Sequence, residues 1–321
     1  MRIGIHPPTL DRGGTLLDAA GLAERAQMVE AADLDGIWLG DHTPVAGDVP
    51  RDHPEPFMTL LVAALATTRI EVGTAVYGLP IRNPADVAMH LYTVQTYAPG
   101  RFSFGVGTGS SELEYEIAGV AWERRFARLH DHLDHIRAIF DGKPEARVAQ
   151  LVADSPRPGY GAGQAFDEAT WPVKVGKPRF LLGAWFSGPQ LRRAATDFDG
   201  WITSAGTGSH FGGWVKVRES MRRFRDLGGK RAILGAVTTD LRAPSSTLPD
   251  DGAFDLRCGP EEAAERLHLL EEIGFDDVIL NISDSTSPLQ SRMGHRYDFT
   301  SDDLEQYRSL LPKDPRDYRR A

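Results

Sequence analysis

Short apolar segments rich in β-branched residues alternate with segments of helical periodicity along this chain, and the alternation occurs eight times. The predicted strands are 2–6, 36–39, 70–76, 102–106, 179–183, 200–203, 232–238 and 277–282. Between them, apolar residues recur at steps of three and four, as in Leu129, Leu133 and Ile136. Strands that each lead into a helix favour parallel pairing with right-handed crossovers. We therefore predict an α/β fold, a (β/α)8 TIM barrel with insertions in its βα loops.

One domain, 1–321, accounts for the whole chain, because 321 residues is an ordinary length for a single closed barrel. An open doubly wound sheet is the competing architecture, but His6-Pro7-Pro8-Thr9 offers no glycine-rich dinucleotide loop after the first strand. The longest interruption, 142–177, is rich in proline and glycine and forms a predicted insertion. Loops of this length are either functional lids or disordered excursions, and the sequence leaves both open.

Composition excludes several classes of protein. A net charge of −9 disfavours attachment to nucleic acid or to an anionic membrane surface. No segment approaches the roughly 18 consecutive apolar residues of a membrane span, and the N-terminus lacks the apolar region of a secretory signal. We therefore expect a cytoplasmic protein. The single cysteine, Cys258, leaves no disulfide and no paired-cysteine metal motif.

Three histidines on one predicted helix, His130, His132 and His135, resemble a metal cluster. Other residues carry the apolar stripe of that helix, so we expect the histidines to face solvent. A catalytic metal in a barrel would lie at the mouth instead. We therefore predict no metal site.

The predicted strand ends are polar or rich in glycine, and barrel enzymes hold their chemistry there. The second strand ends in Asp41 and His42. This pair is either a helix cap with a packed imidazole or part of an active centre, and its position favours His42 as catalytic. Gly105, Gly107 and Gly109 end the fourth strand. Their spacing fits a tight turn, or a backbone that a flat ring or a phosphate approaches closely.

Taken together, these strand ends resemble those of the luciferase-like flavin and F420 oxidoreductases. The resemblance covers nearly the whole chain and rests on the segments 36–42 (GIWLGDH), 69–76 (RIEVGTAV), 82–84 (RNP), 100–102 (GRF), 105–109 (GVGTG), 191–195 (LRRAA), 199–201 (DGW) and 260–267 (PEEAAERL). No segment is specific alone, but the set is. The resemblance implies a cofactor at the C-terminal mouth of the barrel.

The implied site is built around one unusual bond, a non-prolyl cis peptide between Ala75 and Val76 that supports the isoalloxazine ring. The cofactor-binding residues that the resemblance implies are Asp41, Ala75, Val76, Thr108, Gly109, Gly183, Ser187 and Gly188. Within this set, Asp41 and Thr108 would lie near the ring or its side chain. The last three would bind the cofactor phosphate through their backbone.

The resemblance favours an FMN-dependent monooxygenase that uses reduced FMN and O₂ on a small organic substrate. His42 would act as a base or hydrogen-bond donor, and a flavin reductase would supply the reduced FMN. Trp38, Tyr77, Trp185 and Phe186 would keep the pocket dry, although Trp38 fits equally well as a barrel-packing residue. F420-dependent hydride transfer on the same scaffold is the alternative. A flavin-binding protein without turnover is a third.

Two positions depart from the F420-dependent sugar-phosphate dehydrogenases of this family. Ser110 stands where they carry a glutamate acid, and Thr207 stands where they carry a lysine. A phosphorylated sugar substrate is therefore disfavoured. The resemblance also implies a homodimer.

Overall fold

The computed structural model describes residues 1–9, 15–42, 54–142, 175–186, 188–205, 213–245, 247–248, 250, 254–283 and 299–311. Most of the predicted 142–177 insertion lies outside these ranges, and so do Ser187 and Thr207. The predictions made for them are not addressed by the described residues.

Within the described ranges, the strands are β1 (Arg2–Ile5), β2 (Gly36–Leu39), β3 (Glu71–Thr74), β4 (Tyr77–Gly78), β5 (Phe102–Gly107), β6 (Arg179–Gly183), β7 (Gly200–Ser204), β8 (Ala232–Asp240), β9 (Leu256–Arg257) and β10 (Asp277–Ile282). Eight strands run in the order β1-β2-β3-β5-β6-β7-β8-β10, all parallel, and β10 pairs with β1 to close the ring. The short β4 and β9 pair with β5 and β8. The predicted TIM barrel is confirmed.

The described helices are α1 (Ala19–Ala31), α2 (Pro56–Ala66), α3 (Pro84–Tyr97), α4 (Glu112–Ile117), α5 (Arg125–Phe140), α6 (Pro189–Thr196), α7 (Gly213–Asp226), α8 (Pro260–Ile273) and α9 (Ser301–Ser309). Capping chemistry sets several starts, since Asp18, Glu55 and Asn83 each accept a hydrogen bond from a first-turn N–H. α8 ends at Gly274 with a φ of 113°, a left-handed conformation that suits glycine. None of these helices combines the length and apolar character of a membrane span.

Two strands differ from their predicted bounds in ways that shape the mouth. The predicted strand 70–76 is interrupted, because β3 stops at Thr74 and a cis peptide joins Ala75 to Val76. β8 continues to Asp240, two residues past its predicted end, and it contains a bulge opposite β10. Periodicity alone does not predict either interruption.

Alternate residues of each strand point into the barrel and form three levels. The middle level is an apolar cluster of Trp38, Leu181, Ile202, Ile233 and Ile279. The Trp38 indole lies against Gly4, Gly36 and Gly73, where an added Cβ would come within 2.6, 3.1 and 2.4 Å of it. Trp38 is therefore a barrel-packing residue, the second of its two interpretations.

Charged side chains fill the level at the N-terminal ends of the strands. Glu71 accepts hydrogen bonds from Arg2 at 2.6 Å and from Arg231 at 2.8 and 2.9 Å, and Arg179 lies at 3.4 Å. Arg231 also pairs with Asp277 at 2.6 Å. Burial alone would raise the pKa of Glu71, but Arg231 and its neighbouring guanidinium groups lower it well below its usual range. This network packs the bottom of the barrel.

Outward-facing side chains of the strands pack against the helices in a continuous apolar layer. Tyr77 lies in this layer, with its ring centroid 4.8 Å from Phe57 and 5.8 Å from Phe104. Phe186 packs there against Trp201 at 5.6 Å. The prediction that Tyr77 and Phe186 line the pocket is therefore wrong, because both face away from the barrel interior.

Candidate active site

One side of the barrel mouth is formed by Ala75 and Val76, which we call the shelf. Their peptide bond is cis, as the resemblance implied. Asp41 anchors the chain beyond the shelf, since its buried carboxylate accepts the backbone N–H of Gly78 at 3.1 Å and Arg82 Nη2 at 2.7 Å. Asp41 thus holds the shelf in place, and its contact with a cofactor stays a prediction.

The shelf explains the glycines of β5 and β6. Val76 points inward between Gly107 and Gly183, where an added Cβ would lie 2.9 and 3.1 Å from its methyl groups. At Gly105, an added Cβ would lie 2.0 Å from a carbonyl oxygen of β3. Neither sequence explanation holds for Gly105 and Gly107, because the protein's own packing requires them. Gly109 has a φ of 69°, a left-handed conformation that suits glycine.

His42 follows β2 beside the shelf and faces an acid from α4. Its Nδ1 lies 3.4 Å from Oε1 of Glu114. The Glu114 side chain is 6% exposed and the His42 side chain 31%, so a buried carboxylate meets an imidazole that solvent reaches. A carboxylate at one ring nitrogen fixes the tautomer and orientation of a histidine. The two residues form an acid–imidazole pair that can move a proton.

Glu114 is the site residue that the sequence analysis missed. Directly after the β5 glycines the chain has Ser110, where the F420-dependent sugar-phosphate dehydrogenases carry a glutamate. The acid instead comes from α4, which starts at Glu112 and turns Glu114 back towards the mouth. The run of acidic residues on α4 was the available signal.

Thr108 and Gly109 lead from β5 towards this pair. The carbonyl oxygen of Thr108 accepts the Tyr115 hydroxyl at 2.6 Å, which ties the loop to α4. Burial raises the pKa of Tyr115 to about 12, so its hydroxyl stays protonated and donates at neutral pH. The predicted residues Asp41, Thr108 and Gly109 therefore lie on the ends of neighbouring strands around the shelf.

Gly183 and Gly188 lie at the end of β6 and just before α6. Gly188 has a φ of 98°, and no atom lies within 4 Å of an added Cβ there. The N–H groups that begin a helix favour an anion through their partial positive charge. Trp185, between the two glycines, is 43% exposed. The binding of an anion by this segment stays a prediction.

The opposite side of the mouth is polar, and we call its members the polar wall. They are His6, Ser204, Thr238 and Asn281, which lie at the ends of β1, β7, β8 and β10. His6 Nε2 accepts the backbone N–H of Gly40 at 3.4 Å, and Nδ1 lies 3.3 Å from the carbonyl oxygen of Pro7. Among the described residues, the buried Oδ1 of Asn281 has no hydrogen-bond partner. The sequence analysis did not single out these residues as a site.

The three helix histidines are half-buried, which corrects the prediction that they face solvent. His132 Nδ1 lies 3.3 Å from the carbonyl oxygen of Leu79, and His130 Nε2 lies 3.3 Å from Gln190. Burial lowers the pKa of both His130 and His132. Across the described ranges, no group of three or more histidine, cysteine, aspartate or glutamate side chains is placed to hold a metal ion.

Solved structures share this fold over nearly its whole length. The monooxygenase RslO1 from Streptomyces bottropensis superposes with a TM-score of 0.65 at 13% identity, covering 97% of both chains. An F420-dependent secondary alcohol dehydrogenase, solved with an F420–acetone adduct, has a TM-score of 0.63 at 16% identity and covers 98% of this chain and 99% of its own. At such identities these likenesses establish the fold alone.

Sequence relatives are closer but often partial. An F420-dependent glucose-6-phosphate dehydrogenase of Kribbella flavida is 32% identical over 197 residues, 58% of this chain and 54% of that protein. An enzyme of the same name from Kineococcus radiotolerans is 33% identical over 36% of its length. An uncharacterized protein of Mycobacterium bovis is 26% identical over 89% of this chain and 94% of its own. The chain thus aligns with about a third to a half of the first two relatives.

The model of the luciferase-like monooxygenase family matches residues 1–238, which is most of the chain. Members and relatives in this family are oxidoreductases that use a flavin or F420. The barrel, the cis peptide at the shelf and the family match agree, and the chain therefore belongs to the luciferase-like monooxygenase family.

Proposed function

We propose that this chain is an F420-dependent oxidoreductase that transfers a hydride to or from a small organic substrate. The pair of His42 and Glu114 beside the shelf carries the proposal, since hydride transfer at a carbon–oxygen bond needs a proton partner. Similarity supports it, because a relative at 32% identity is F420-dependent, whereas the structure solved with FMN is 13% identical. This ranking reverses the one from sequence alone, which placed FMN first.

The residues of the mouth fit a flat, phosphorylated cofactor. Among the described residues, an added Cβ at Gly40 would meet only the carbonyl oxygen of Ala75, at 3.8 Å, and one at Gly109 only Oε2 of Glu114, at 3.8 Å. At Gly188 it would meet nothing within 4 Å. Glycine leaves the backbone open at these three positions, as close approach of a ring or phosphate requires. The shelf would hold the ring, and the start of α6 would hold the phosphate.

His42 would accept or donate the proton that accompanies hydride transfer. When bound, F420 supplies a ring carbon that accepts or donates a hydride. His42 would take the hydroxyl proton at Nε2 as an alcohol is oxidised, and would return it to the carbonyl oxygen in the reverse direction. Glu114 lies at Nδ1, so Nε2 would be the nitrogen that exchanges the proton.

An FMN-dependent monooxygenase is the second candidate. The oxygenating component of 3,6-diketocamphane monooxygenase from Pseudomonas putida, solved with FMN, has a TM-score of 0.65 over 96% of this chain. The shelf and the turn before α6 would serve FMN in the same way. This candidate needs a flavin reductase as a partner to supply reduced FMN. A flavin-binding protein without turnover has no use for the His42–Glu114 pair.

Anaerobic titration of the purified protein with F420, FMN and reduced FMN, followed by cofactor fluorescence, tests the proposal. We expect F420 to bind at least about tenfold more tightly than either form of FMN. Preference for reduced FMN would replace the proposal with the monooxygenase. Binding of none of the three would contradict both cofactor assignments.

We further propose that the chain forms a homodimer through α2 and α3. Four side chains on these helices are each more than half exposed: Met58, Leu65, Met89 and Tyr97. Charged residues make up 25% of the chain, yet the 25 positions of α2 and α3 carry one, Asp86. Interface centres are depleted of charge, and a twofold interface places the same surface on both partners. An uncharged apolar face suits a second copy of itself.

A further inference from the structure

Thr238, at the centre of the polar wall, lies directly across the mouth from the shelf. Around the ring of eight strands, β8 is the fourth strand from β3, and β10 is the fourth from β5. Thr238 on β8 is therefore diametrically opposite the end of β3, where the shelf lies, and Asn281 on β10 is opposite the end of β5. A flat group resting on the shelf presents its other face to this wall.

A bulge in β8 places Thr238 on the wall. Val278 of β10 pairs with Leu234, but Leu280 pairs with Val237, so β8 has one extra residue between these pairs. Without it, strict alternation from Ile233 in the interior cluster would turn Val237 inward. With it, Val237 packs in the outer layer and Thr238 takes the inward position. Bulges beside active sites commonly redirect a side chain in this way.

The bulge in β8 has an unusual backbone conformation, and its central alanine is exposed. Ala236 has a φ of 55°, a left-handed conformation that is uncommon for a residue other than glycine. Ala236 is also exposed, although it lies in the middle of a strand with buried neighbours. The bulge is therefore accessible at Ala236, two residues before Thr238.

Asn281 offers a hydrogen-bonding group that none of the described residues satisfies. It is two residues beyond Ile279 of the interior cluster, so it faces the mouth. Its Oδ1 is buried without a partner, and a desolvated acceptor of this kind is costly unless something donates to it. A hydroxyl group both donates and accepts. It can therefore pair with either the oxygen or the nitrogen of the Asn281 side-chain amide.

We propose that the polar wall, with Thr238 and Asn281 at its centre, is the substrate-recognition surface of this enzyme and selects an uncharged substrate that carries a hydroxyl group. The inference rests on the proposed function, because it assigns the shelf to the cofactor and the facing wall to the substrate. Ser204, Thr238 and Asn281 are uncharged, and His6 Nε2 accepts a backbone N–H. Amide and hydroxyl groups such as these pair well with an uncharged hydroxyl, whereas a desolvated phosphate or carboxylate also needs a compensating positive charge, which Ser204, Thr238 and Asn281 do not carry.

Three probes that share one ring test the wall: cyclohexanol, cyclohexanecarboxylate and cyclohexyl phosphate. Their binding would be measured by saturation-transfer NMR on the F420-loaded protein and again without cofactor, for the wild type, Asn281→Leu and Thr238→Val. We expect cyclohexanol to bind the wild type best. The affinity should fall about tenfold with Asn281→Leu and about fivefold with Thr238→Val, as loss of one hydrogen bond to a neutral group predicts.

Thr203→Val is the matched control. It makes the same chemical change as Thr238→Val. Thr203 is two residues after Trp201 on β7, so it lies on the same outward face. Its Oγ1 is also buried without a partner among the described residues. We expect Thr203→Val to leave cyclohexanol binding unchanged. The F420 Kd, measured by fluorescence, should stay within about twofold in all three variants.

Four results would overturn the inference: no cyclohexanol binding to the wild type, unchanged binding in Asn281→Leu and Thr238→Val, tighter binding of either charged probe, or an F420 Kd raised tenfold or more by Asn281→Leu. The last would assign the wall to the cofactor. A wild type that binds no F420 but binds cyclohexanol with the expected pattern would instead contradict the proposed function and leave the wall intact.

Discussion

His42 is the residue on which the proposed proton transfer depends most directly. We expect His42→Ala to lower kcat by about 10²- to 10⁴-fold, because it removes the group that exchanges the proton. The shelf and the start of α6 stay intact, so the F420 Kd should change less than about twofold. Turnover followed by the absorbance of oxidised F420, together with a fluorescence titration, gives both values. Full turnover in this variant would show that the catalytic assignment is wrong.

Glu114 acts through His42 and is a positioning residue. Glu114→Gln should lower kcat about tenfold with little change in KM, since the imidazole loses the carboxylate that fixes its tautomer. Glu114→Asp, which keeps the charge, should recover part of the loss. Glu112→Gln, an exposed acid on the same helix, is the control and should behave as wild type. A general loss of stability without a separate effect on kcat would argue against positioning.

Glu71 is the residue on which the charge network at the bottom of the barrel centres. Glu71→Gln should destabilise the protein by about 3 kcal/mol, because removing one partner of a buried ion pair leaves its arginines uncompensated. Its folded pKa is lowered, so its contribution is fully present above the unfolded value near 4.5 and is lost as pH falls through the folded value. Denaturant unfolding from pH 7 downwards should show the difference from wild type shrinking below about pH 4.5. A gap that widens on acidification would contradict this sign.

The strands β1, β2 and β3 pack their inner faces around the Trp38 indole. Gly73→Ala should destabilise the barrel by about 1–3 kcal/mol, since its Cβ would lie 2.4 Å from the indole and 2.9 Å from the Ser103 carbonyl oxygen. Gly40→Ala, whose Cβ would meet nothing closer than 3.8 Å, is the control for stability. Thermal unfolding of both variants separates overpacking from a general intolerance of alanine. Equal melting temperatures would refute the packing argument.

The barrel was predictable from sequence because strand and helix periodicity repeat eight times, and the cis peptide came from the resemblance of the Gly73 to Val76 segment to a family. The polar wall was not predictable in the same way. A single extra residue in β8 exchanges the faces of Val237 and Thr238, and alternation read along the strand gives the opposite result. Glu114 was missed because it does not directly follow a strand. The short helix α4 brings its side chain back to His42.

At the scale of the whole molecule, the two ends of the barrel differ in whether their polar groups are already paired within the protein. The bottom holds charged side chains that satisfy one another, as around Glu71 and Arg231. The described part of the mouth holds groups that can still form hydrogen bonds to a ligand, such as Oδ1 of Asn281 and the open backbone at Gly188. This polarity is typical of barrel enzymes, in which the N-terminal face contributes stability and the C-terminal face carries the chemistry.

The α2 and α3 face is the part of the outer surface that we expect to join two chains. Leu65→Glu should convert a dimer to a monomer, because it places like charges opposite each other across a twofold interface with no compensating cation on either helix. Val215→Glu on α7 is the control, since Val215 is 74% exposed and lies outside this face. Light scattering at micromolar protein concentration reports the mass of each variant. A monomeric wild type would refute the dimer, and a dimeric Leu65→Glu variant would place its interface elsewhere.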